Sequence, residues 1–409
     1  MKKVSRLLLV IILCPVLILS SCKKEDKSPW ERLVSAEKAV SYTGTYINTL
    51  VTSAANYYPE VGDLSPLLSG GVDVYRLTYK TAVASKAITA SGLMCVPQGQ
   101  GSYPVICFLN GTNTVNAYAP SNYVINTQYQ LVEIIASMGY VVLIPDYPGF
   151  GASASIPHPY LVKDPTVKSV IDIFYAAAEA AGSLIKGIEV KNEYYLTGYS
   201  QGGWAAMALH YALENQYADD FSLRGSMCGA GPYDIAYIFS EMIGASTYPM
   251  PVYLAYIVNA YKAYNQVSNP VTDIFNEPYA SRLPSLFNGE NDFDYINSQL
   301  TTSVTDLVNS SFLTGFASDP KYEQVRNALA ANSIPAWHTN IPLYMIHGMS
   351  DTQVSPGVTG FFYDQMISHG SSPAIVRKEM LEGLDHGDAA VPAVIKGLLF
   401  INDIHSKLN

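Results

Sequence analysis

A serine flanked by glycines is the residue in this chain best suited to act as a nucleophile. Ser200 lies in the run Gly-Tyr-Ser-Gln-Gly at residues 198–202, after a short apolar segment and before an alanine- and leucine-rich helical pattern. Strand, G-x-S-x-G and helix in this order predict a sharp turn that lifts the serine hydroxyl above the edge of a sheet. The N–H of Gln201, at the start of the helix, would then face a developing oxyanion. The alternative is a glycine-rich turn without chemistry, because the motif also recurs by chance.

A serine hydroxyl is a poor nucleophile unless a base stands beside it, and one histidine is well positioned for that task. After such an elbow the acid comes next along the chain and then the histidine, each on a loop that follows a strand. His386 lies in the loop Leu-Asp-His-Gly, just beyond the last predicted strand. Other downstream histidines lie in predicted helices or precede the candidate acid: His210, His347, His369 and His405. We therefore predict that His386 is the base.

Asp351 is the predicted acid that orients this base. It ends a loop that opens from the apolar run at residues 343–347, and Val354 and Pro356 follow it. That is the position expected for the acid of a triad. Asp385 and Asp388 lie too close to His386 in sequence to reach its ring easily, so we interpret them as polar residues of the loop.

A second backbone donor for the oxyanion is expected on the loop that begins at residue 108. The sequence there is Phe-Leu-Asn-Gly-Thr, and Gly111 allows a close approach of the backbone. The N–H of Thr112 would pair with that of Gln201. Each such donor stabilises a transition state by about 3–4 kcal/mol, so this loop matters as much as the acid.

The elements that must hold these residues alternate along the chain. Strand patterns occur at residues 72–83, 88–96, 105–109, 141–145, 194–196, 223–228, 343–347 and 375–380. Helical patterns occur at residues 30–58, 130–138, 163–185, after 202, and at 391–407. The first two strands read as a hairpin, and the later apolar runs alternate with helices. This predicts an α/β protein with a mostly parallel sheet, an antiparallel start and helices on both faces.

Together these motifs resemble the α/β-hydrolase superfamily, and more narrowly its secretory-lipase and esterase branch. The resemblance covers roughly residue 72 onward and rests on residues 110–112, 145–151 (Pro-Asp-Tyr-Pro-Gly-Phe-Gly), 198–202, 347–351 (His-Gly-Met-Ser-Asp) and 385–386. It implies an α/β-hydrolase fold and a structural role for Asp146. The chain differs at Asn110, where many relatives carry a histidine before the glycine.

An insertion of about 110 residues separates two parts of this predicted core. We expect the core at residues 30–231 and 341–409, with a largely helical cap at 232–340, because a loop of that length must carry structure. Residues 251–265 are helical in pattern and apolar nearly all round. Such a helix is either an ordinary buried helix or a cap whose tyrosines, Tyr253 and Tyr256 among them, roof an apolar acyl pocket.

The first 21 residues are predicted to be removed from the mature protein. Lys2, Lys3 and Arg6 precede a short apolar core, and the segment ends Leu-Ser-Ser before Cys22. This resembles a bacterial lipoprotein signal, which implies a lipid anchor on Cys22 and a charged tether at residues 22–29. An ordinary secretory signal is the alternative. The expected location is the outer membrane or the cell surface of a Gram-negative bacterium.

Composition excludes several classes of partner. Loss of the three basic residues of the leader would change the formal net charge from −10 to −13, which argues against nucleic acid and against basic contacts with anionic membranes. Cys95, Cys107 and Cys228 lie in apolar runs and read as small buried hydrophobes. No metal-binding spacing of cysteine or histidine is present, so neither metal nor cofactor is expected.

The predicted function is a serine carboxylester hydrolase, a lipase or esterase, that works through an acyl-enzyme. The substrate would be a small-molecule, lipid or glycan ester. A serine peptidase of the same fold and a glycan-ester deacetylase remain alternatives. From another class, an inactive surface-anchored protein could use the cleft to bind glycans or lipids, although such a protein has no need for an ordered serine, aspartate and histidine.

Overall fold

The computed structural model describes residues 31–125 and 127–408, and one sheet runs through this part of the chain. Its nine strands are β1 (Leu33–Tyr42), β2 (Val72–Val83), β3 (Lys86–Pro97), β4 (Gly101–Leu109), β5 (Val141–Pro145), β6 (Ile188–Tyr199), β7 (Leu223–Gly229), β8 (Leu343–Gly348) and β9 (Val376–Leu381). The strand order across the sheet is β1-β2-β3-β5-β4-β6-β7-β8-β9. Strands β1, β2, β3 and β5 pair antiparallel, and every pairing from β5 through β4 to β9 is parallel.

Helices cover both faces of the sheet. They are α1 (Gly44–Ala54), α2 (Thr127–Glu133), α3 (Lys163–Ser183), α4 (Gln201–Asn215), α5 (Ile235–Gly244), α6 (Pro251–Ala263), α7 (Tyr279–Leu286), α8 (Phe293–Ser298), α9 (Val304–Leu307), α10 (Ser310–Gly315), α11 (Glu323–Asn332), α12 (Gly357–Ser368) and α13 (Ala390–Leu408). Among these described residues, no helix is both long enough and apolar enough to cross a membrane.

Alternating side chains of the strands divide the core into two layers, because successive residues of a strand face opposite sides of a sheet. In β4, Val105 and Cys107 join the layer that contains α3 and α4, whereas Ile106 joins the layer that contains α1 and α13. The wholly apolar runs at residues 105–109 and 141–145 are therefore buried on both faces, as parallel strands require. This is the α/β-hydrolase fold expected from the sequence.

The prediction of a helix over residues 30–58 was wrong for its first half. Residues Leu33–Tyr42 form β1, which extends the sheet by pairing with β2. The Glu179 carboxylate of α3 accepts the N–H of Leu33 at 2.6 Å, which fixes the start of this edge strand. The helix begins only after Thr43, whose hydroxyl caps it by accepting the N–H of Tyr46. Tertiary pairing thus overrides a periodicity that local sequence could not distinguish.

Helices α5 to α11 lie between β7 and β8, at the carboxyl edge of the sheet. Helix α6 is buried around most of its circumference, including Leu254, Ala255, Ile257 and Val258. The helix packs into the main core cluster. The insertion and the sheet therefore share one continuous apolar core, and α6 forms a wall above the loops that follow β4, β6 and β8.

Candidate active site

The turn between β6 and α4 holds Ser200 in a strained conformation. Its φ is 60° and its ψ is −123°, in the left-handed half of backbone space that residues with a side chain rarely adopt. The glycines on either side are required by contact. A Cβ on Gly198 would lie 2.3 Å from the carbonyl oxygen of Gly202, and one on Gly202 would lie 1.9 Å from that of Leu109. The elbow therefore sits tightly between β4 and β6, with the Ser200 side chain at the sheet's carboxyl edge.

Ser200, His386 and Asp351 come together in one line of hydrogen bonds. The Ser200 Oγ lies 2.9 Å from His386 Nε2, and His386 Nδ1 lies 2.5 Å from Asp351 Oδ2. A carboxylate only accepts, so Nδ1–H donates to Asp351 and the neutral ring leaves Nε2 free to accept the serine hydroxyl. Each residue stands on a loop that follows a different strand: β6, β8 and β9. The arrangement can deprotonate the serine hydroxyl and hold the resulting imidazolium next to a carboxylate.

Asp351 accepts four hydrogen bonds in all, including the one from His386, and together they keep it ionised. Its Oδ1 accepts the N–H groups of Gln353 and Val354, at 2.8 and 2.9 Å. Its Oδ2 accepts from His386 and also from His347 Nε2, at 3.1 Å. Burial raises the pKa of Asp351, but the hydrogen bonds from the two histidines outweigh burial and hold that pKa well below its ordinary value.

The order of residues along the chain had excluded His347 as the base. In the structure His347 contacts the acid, Asp351, instead of the serine. Its Nε2–H donates to Asp351 and to the carbonyl of Val354, while Nδ1 accepts from the Thr359 hydroxyl at 2.7 Å. His347 thus braces the far side of the acid. The His386 loop is braced as well, since the Tyr199 hydroxyl donates to the His386 carbonyl at 2.8 Å.

The loop after β4, which carries Thr112, lies against the elbow, which carries Gln201. A Cβ on Gly202 would touch the carbonyls of both Leu109 and Asn110, so the start of α4 rests on this loop. The Asn110 amide donates to the Pro145 carbonyl at 2.6 Å and ties the loop to the end of β5. The Thr112 hydroxyl pairs with that of Tyr160 at 3.1 Å. Gln201 opens α4, where the backbone N–H groups of the first turn have no partner within the helix.

A third histidine in the site, His158, was not anticipated. Its Nδ1 faces the Pro148 carbonyl at 2.7 Å, and a carbonyl only accepts, so Nδ1 carries the proton. Its Nε2 is then an acceptor for the side-chain amide of Gln201, at 2.9 Å. Burial lowers the pKa of His158 to about 4, although both hydrogen bonds act in the opposite direction. At neutral pH the ring is therefore uncharged and orients the Gln201 side chain.

The sequence carried little signal for His158. It precedes Ser200, so a search for the base among downstream histidines passes over it. Its separation of 43 positions from Gln201 fits no motif. Aromatic rings enclose it, with Phe150 at 4.8 Å and Tyr256 at 5.8 Å between ring centroids. Only the fold shows that the loop after β5 returns to the elbow.

A small cavity adjoins the Ser200 side chain beneath α5 and α6. Its volume is about 10 Å³, and its walls include Ile238, Met242, Ile257 and Leu161 together with Ser200 itself. Of the two tyrosines predicted to line a substrate pocket, Tyr253 is part of this wall and its hydroxyl donates to Gln353 at 3.1 Å.

Tyr256 lies behind this wall in a stack of aromatic rings. Its ring centroid is 4.3 Å from that of Tyr160 on one side and 4.3 Å from that of Phe287 on the other. Its hydroxyl donates to the Asn113 carbonyl at 3.2 Å. Tyr256 therefore joins α6 to the loop after β4.

A larger space of about 740 Å³ lies on the other side of the elbow, between the loop after β4 and helix α13. We call it the groove. Thr112, Asn113, Tyr199 and Ala390 are among its lining residues, and its walls are largely aliphatic and aromatic. The residues of its walls include Val51, Val61, Phe108, Leu131, Ile135, Phe293, Val394 and Leu398.

The other residues singled out in the sequence are buried in the core or lie outside the described residues. Asp146 is buried and accepts hydrogen bonds from the hydroxyls of Ser91 and Ser121. The three cysteines Cys95, Cys107 and Cys228 are buried and unbridged. Within the described ranges, no group of three or more histidine, cysteine or carboxylate side chains is arranged to hold a metal ion. Cys22, the predicted leader at 1–21 and the tether at 22–29 lie outside the described residues.

Comparison with known proteins gives a family and a set of structural relatives. A model of the secretory lipase family matches residues 118–385. A candidate hydrolase from Legionella pneumophila superposes with a TM-score of 0.80 at 22% identity, covering 91% of this chain and 98% of that one. No curated protein sequence matches the chain.

Two further solved structures share the fold at low identity. The rice cell wall degrading esterase LipA from Xanthomonas oryzae, in a ligand-bound form, gives a TM-score of 0.78 at 24% identity and covers 91% of this chain and 97% of its own. Candida antarctica lipase A gives 0.66 at 14% identity, with coverages of 92% and 82%.

Proposed function

Because the chain belongs to the secretory lipase family, whose name assigns it to the lipases and esterases, we propose that it is a serine carboxylester hydrolase that works through an acyl-enzyme. The observation that supports this most is the line of hydrogen bonds from Ser200 Oγ to His386 (2.9 Å) and from His386 to Asp351 (2.5 Å). A serine, a base and an acid in this geometry form the machinery of acyl transfer.

In the proposed reaction Ser200 Oγ attacks the ester carbonyl while His386 Nε2 takes its proton. The N–H groups of Gln201 and Thr112 donate to the oxyanion. The tetrahedral intermediate collapses, the C–O bond to the alcohol breaks, and His386 returns the proton to the leaving oxygen. Water then attacks the acyl-enzyme by the same route in reverse order and releases the carboxylic acid. Asp351 keeps Nδ1 protonated and stabilises the imidazolium.

A fluorophosphonate probe tests this proposal directly, because it phosphonylates an activated serine. The purified chain is expected to label, and Ser200→Ala is expected to abolish labelling. An inactive binding protein would not label at all. A serine peptidase would label as well, so ester and peptide substrates must be compared in the same preparation; hydrolysis of esters with little release from peptides is the expected outcome.

The proposed location is the outer membrane or cell surface, with the chain exported and anchored by acyl groups on Cys22. The motif Leu-Ser-Ser-Cys after a short apolar core supports this, and two or more acyl chains hold a protein stably to a bilayer. Full-length Cys22→Ala is expected to move from the detergent phase to the aqueous phase and to retain esterase activity. Aqueous partitioning of the wild type would contradict the anchor.

A further inference from the structure

Ser200 lines the small cavity and its neighbour Tyr199 lines the groove, and these two spaces differ greatly in size. The small cavity has a volume of about 10 Å³, close to the minimum that holds a single water molecule. The groove has about 740 Å³, within the range of sites that enclose a whole small molecule. An ester has two parts, an acyl group and an alcohol, so the function proposed above requires each part to occupy one side of the serine.

Contacts of the His386 loop identify the side for the alcohol. In the proposed reaction His386 gives its proton to the leaving oxygen, so the alcohol must depart on the histidine's side. Tyr199 lines the groove and its hydroxyl binds the His386 carbonyl. Ala390 and Val391, which open the helix after His386, line it as well. Of the described residues, none of the loop that carries His386 lines the small cavity; the groove reaches Tyr199, Ala390 and Val391 next to this loop, although His386 itself does not line it.

The small cavity is bounded by Ser200, by Gln201 and two tyrosines (Tyr160 and Tyr253), and otherwise by packed apolar side chains. Ile257 and Leu161 are almost fully buried, and Ile238 and Met242 face them from α5. The methyl group of an acetyl chain fits such a space. Each further methylene must displace a packed side chain, and overpacking a dense core is unfavourable.

The groove walls indicate the chemistry of the alcohol. None of its described lining residues carries a charge; the polar lining residues are Asn110, Thr112, Asn113 and five tyrosines. The rest of the wall includes aliphatic side chains of α1, α2 and α13. A charged or heavily hydroxylated alcohol would lose its hydration there without replacement, whereas an apolar alcohol would gain by burial.

We infer that the enzyme prefers short-acyl esters, acetates above all, of large apolar alcohols. This inference rests on the proposed ester hydrolysis and specifies its substrate class. It assigns the cavity under α6 to the acyl group and the groove to the alcohol.

Two ester series test the two halves separately on the purified chain. With 4-nitrophenol as the common alcohol, kcat/KM for the acetate is expected to exceed that for the butyrate by about tenfold or more. With acetyl as the common acyl group, n-alkyl acetates from methyl to octyl keep the leaving-group acidity nearly constant. Here kcat/KM is expected to rise by up to about fourfold for each added methylene. Octanoate at least as good as acetate, or a flat alkyl series, would overturn the inference.

Variants with matched controls locate the effect. Ile257→Ala enlarges the small cavity and is expected to raise the butyrate-to-acetate ratio about tenfold, with Ile257→Val giving a smaller change in the same direction. Ile296→Ala deletes the same atoms from a buried isoleucine in a separate cluster of the insertion and is expected to leave the ratio as in the wild type. An equal shift in all three would overturn the assignment of the cavity.

For the groove, Val394→Trp is expected to flatten the alkyl series, and the milder Val394→Phe to shorten it. Ser406→Trp, on an exposed position of the same helix, is expected to keep the wild-type slope. Fluorophosphonate labelling confirms that each variant is folded. A chain that labels but prefers long acyl groups contradicts this inference alone, whereas a chain that neither labels nor hydrolyses any ester overturns the proposed function along with it.

Discussion

The loops that follow β6, β8 and β9 and the walls that surround them are organised in opposite ways. The loops bring together polar groups at hydrogen-bond distance, as in the contact of 2.5 Å between His386 Nδ1 and Asp351 Oδ2. The walls, made by α5, α6 and α13, are apolar, and their important property is the volume they leave. Removing one atom abolishes a hydrogen bond, whereas a substitution in a packed wall changes the volume of the space only gradually. We therefore expect chemistry to depend on the loops and selectivity on the walls.

The largest effects are expected from the nucleophile and the base. Ser200→Ala and His386→Ala should each lower kcat/KM for 4-nitrophenyl acetate by about a thousandfold or more, because the members of a triad act as a unit. His369→Ala is a suitable control, since this histidine is exposed and its ring bonds to Gln365 and Ser368 at the end of its own helix. Near-normal turnover in His386→Ala would show that another group is the base.

Asp351→Asn should reduce kcat/KM less than loss of the nucleophile does, while keeping the shape of the site. It should also change the pH dependence of stability. The folded pKa of Asp351 lies below its unfolded value near 3.9, so the ionised carboxylate stabilises the folded chain above about pH 4, and this contribution is lost as the pH falls further. Chemical unfolding from pH 6 to pH 3 is expected to show the wild type losing its advantage over Asp351→Asn at the acid end. A constant difference would contradict the lowered pKa.

His158→Gln should have an intermediate effect, expected at about tenfold to a hundredfold, mainly on kcat, because His158 acts through its contact with the Gln201 side chain. A role confined to folding would leave the kcat of the folded fraction, counted by fluorophosphonate labelling, unchanged. The variant should also remove a pH dependence of stability. The pKa of His158 is about 4 in the folded chain and near 6.5 in the unfolded chain. The free energy of unfolding of the wild type should therefore fall by roughly 3 kcal/mol as the pH falls from 6.5 to 4. His158→Gln should lack this loss.

The smallest effects on chemistry are expected from the two tyrosines of α6, which separate the wall from its support. Tyr253→Ala opens the small cavity and should raise the butyrate-to-acetate ratio a few-fold. Tyr256→Ala breaks the ring stack with Tyr160 and Phe287 and should lower the free energy of unfolding by about 3–5 kcal/mol with little change in that ratio. A larger ratio change in Tyr256→Ala than in Tyr253→Ala would mean that the wall is placed differently.

Local sequence was sufficient wherever a short motif fixes the backbone. The glycines at 198 and 202 are required by contacts of 1.9–2.3 Å that a Cβ would make, so the run Gly-Tyr-Ser-Gln-Gly predicts the elbow by itself. The order Ser200, Asp351, His386 along the chain follows from the fold's topology, and the wholly apolar runs of β4 and β5 identify buried parallel strands. These features depend on neighbours in sequence or on strand order, which sequence patterns record.

Tertiary structure decided the rest, because the contacts join segments that share no pattern. Residues Leu33–Tyr42 became a strand only through pairing with β2. His158 reaches Gln201 across 43 residues, and His347 supports Asp351 from a position that motif order had set aside. The small cavity and the groove are the spaces that packed side chains of α1, α6 and α13 leave between them. No single segment of the sequence encodes such a volume. The sequence alone identified the residues that are proposed to react, and packing determined the volumes of the two spaces that are proposed to hold the parts of the substrate.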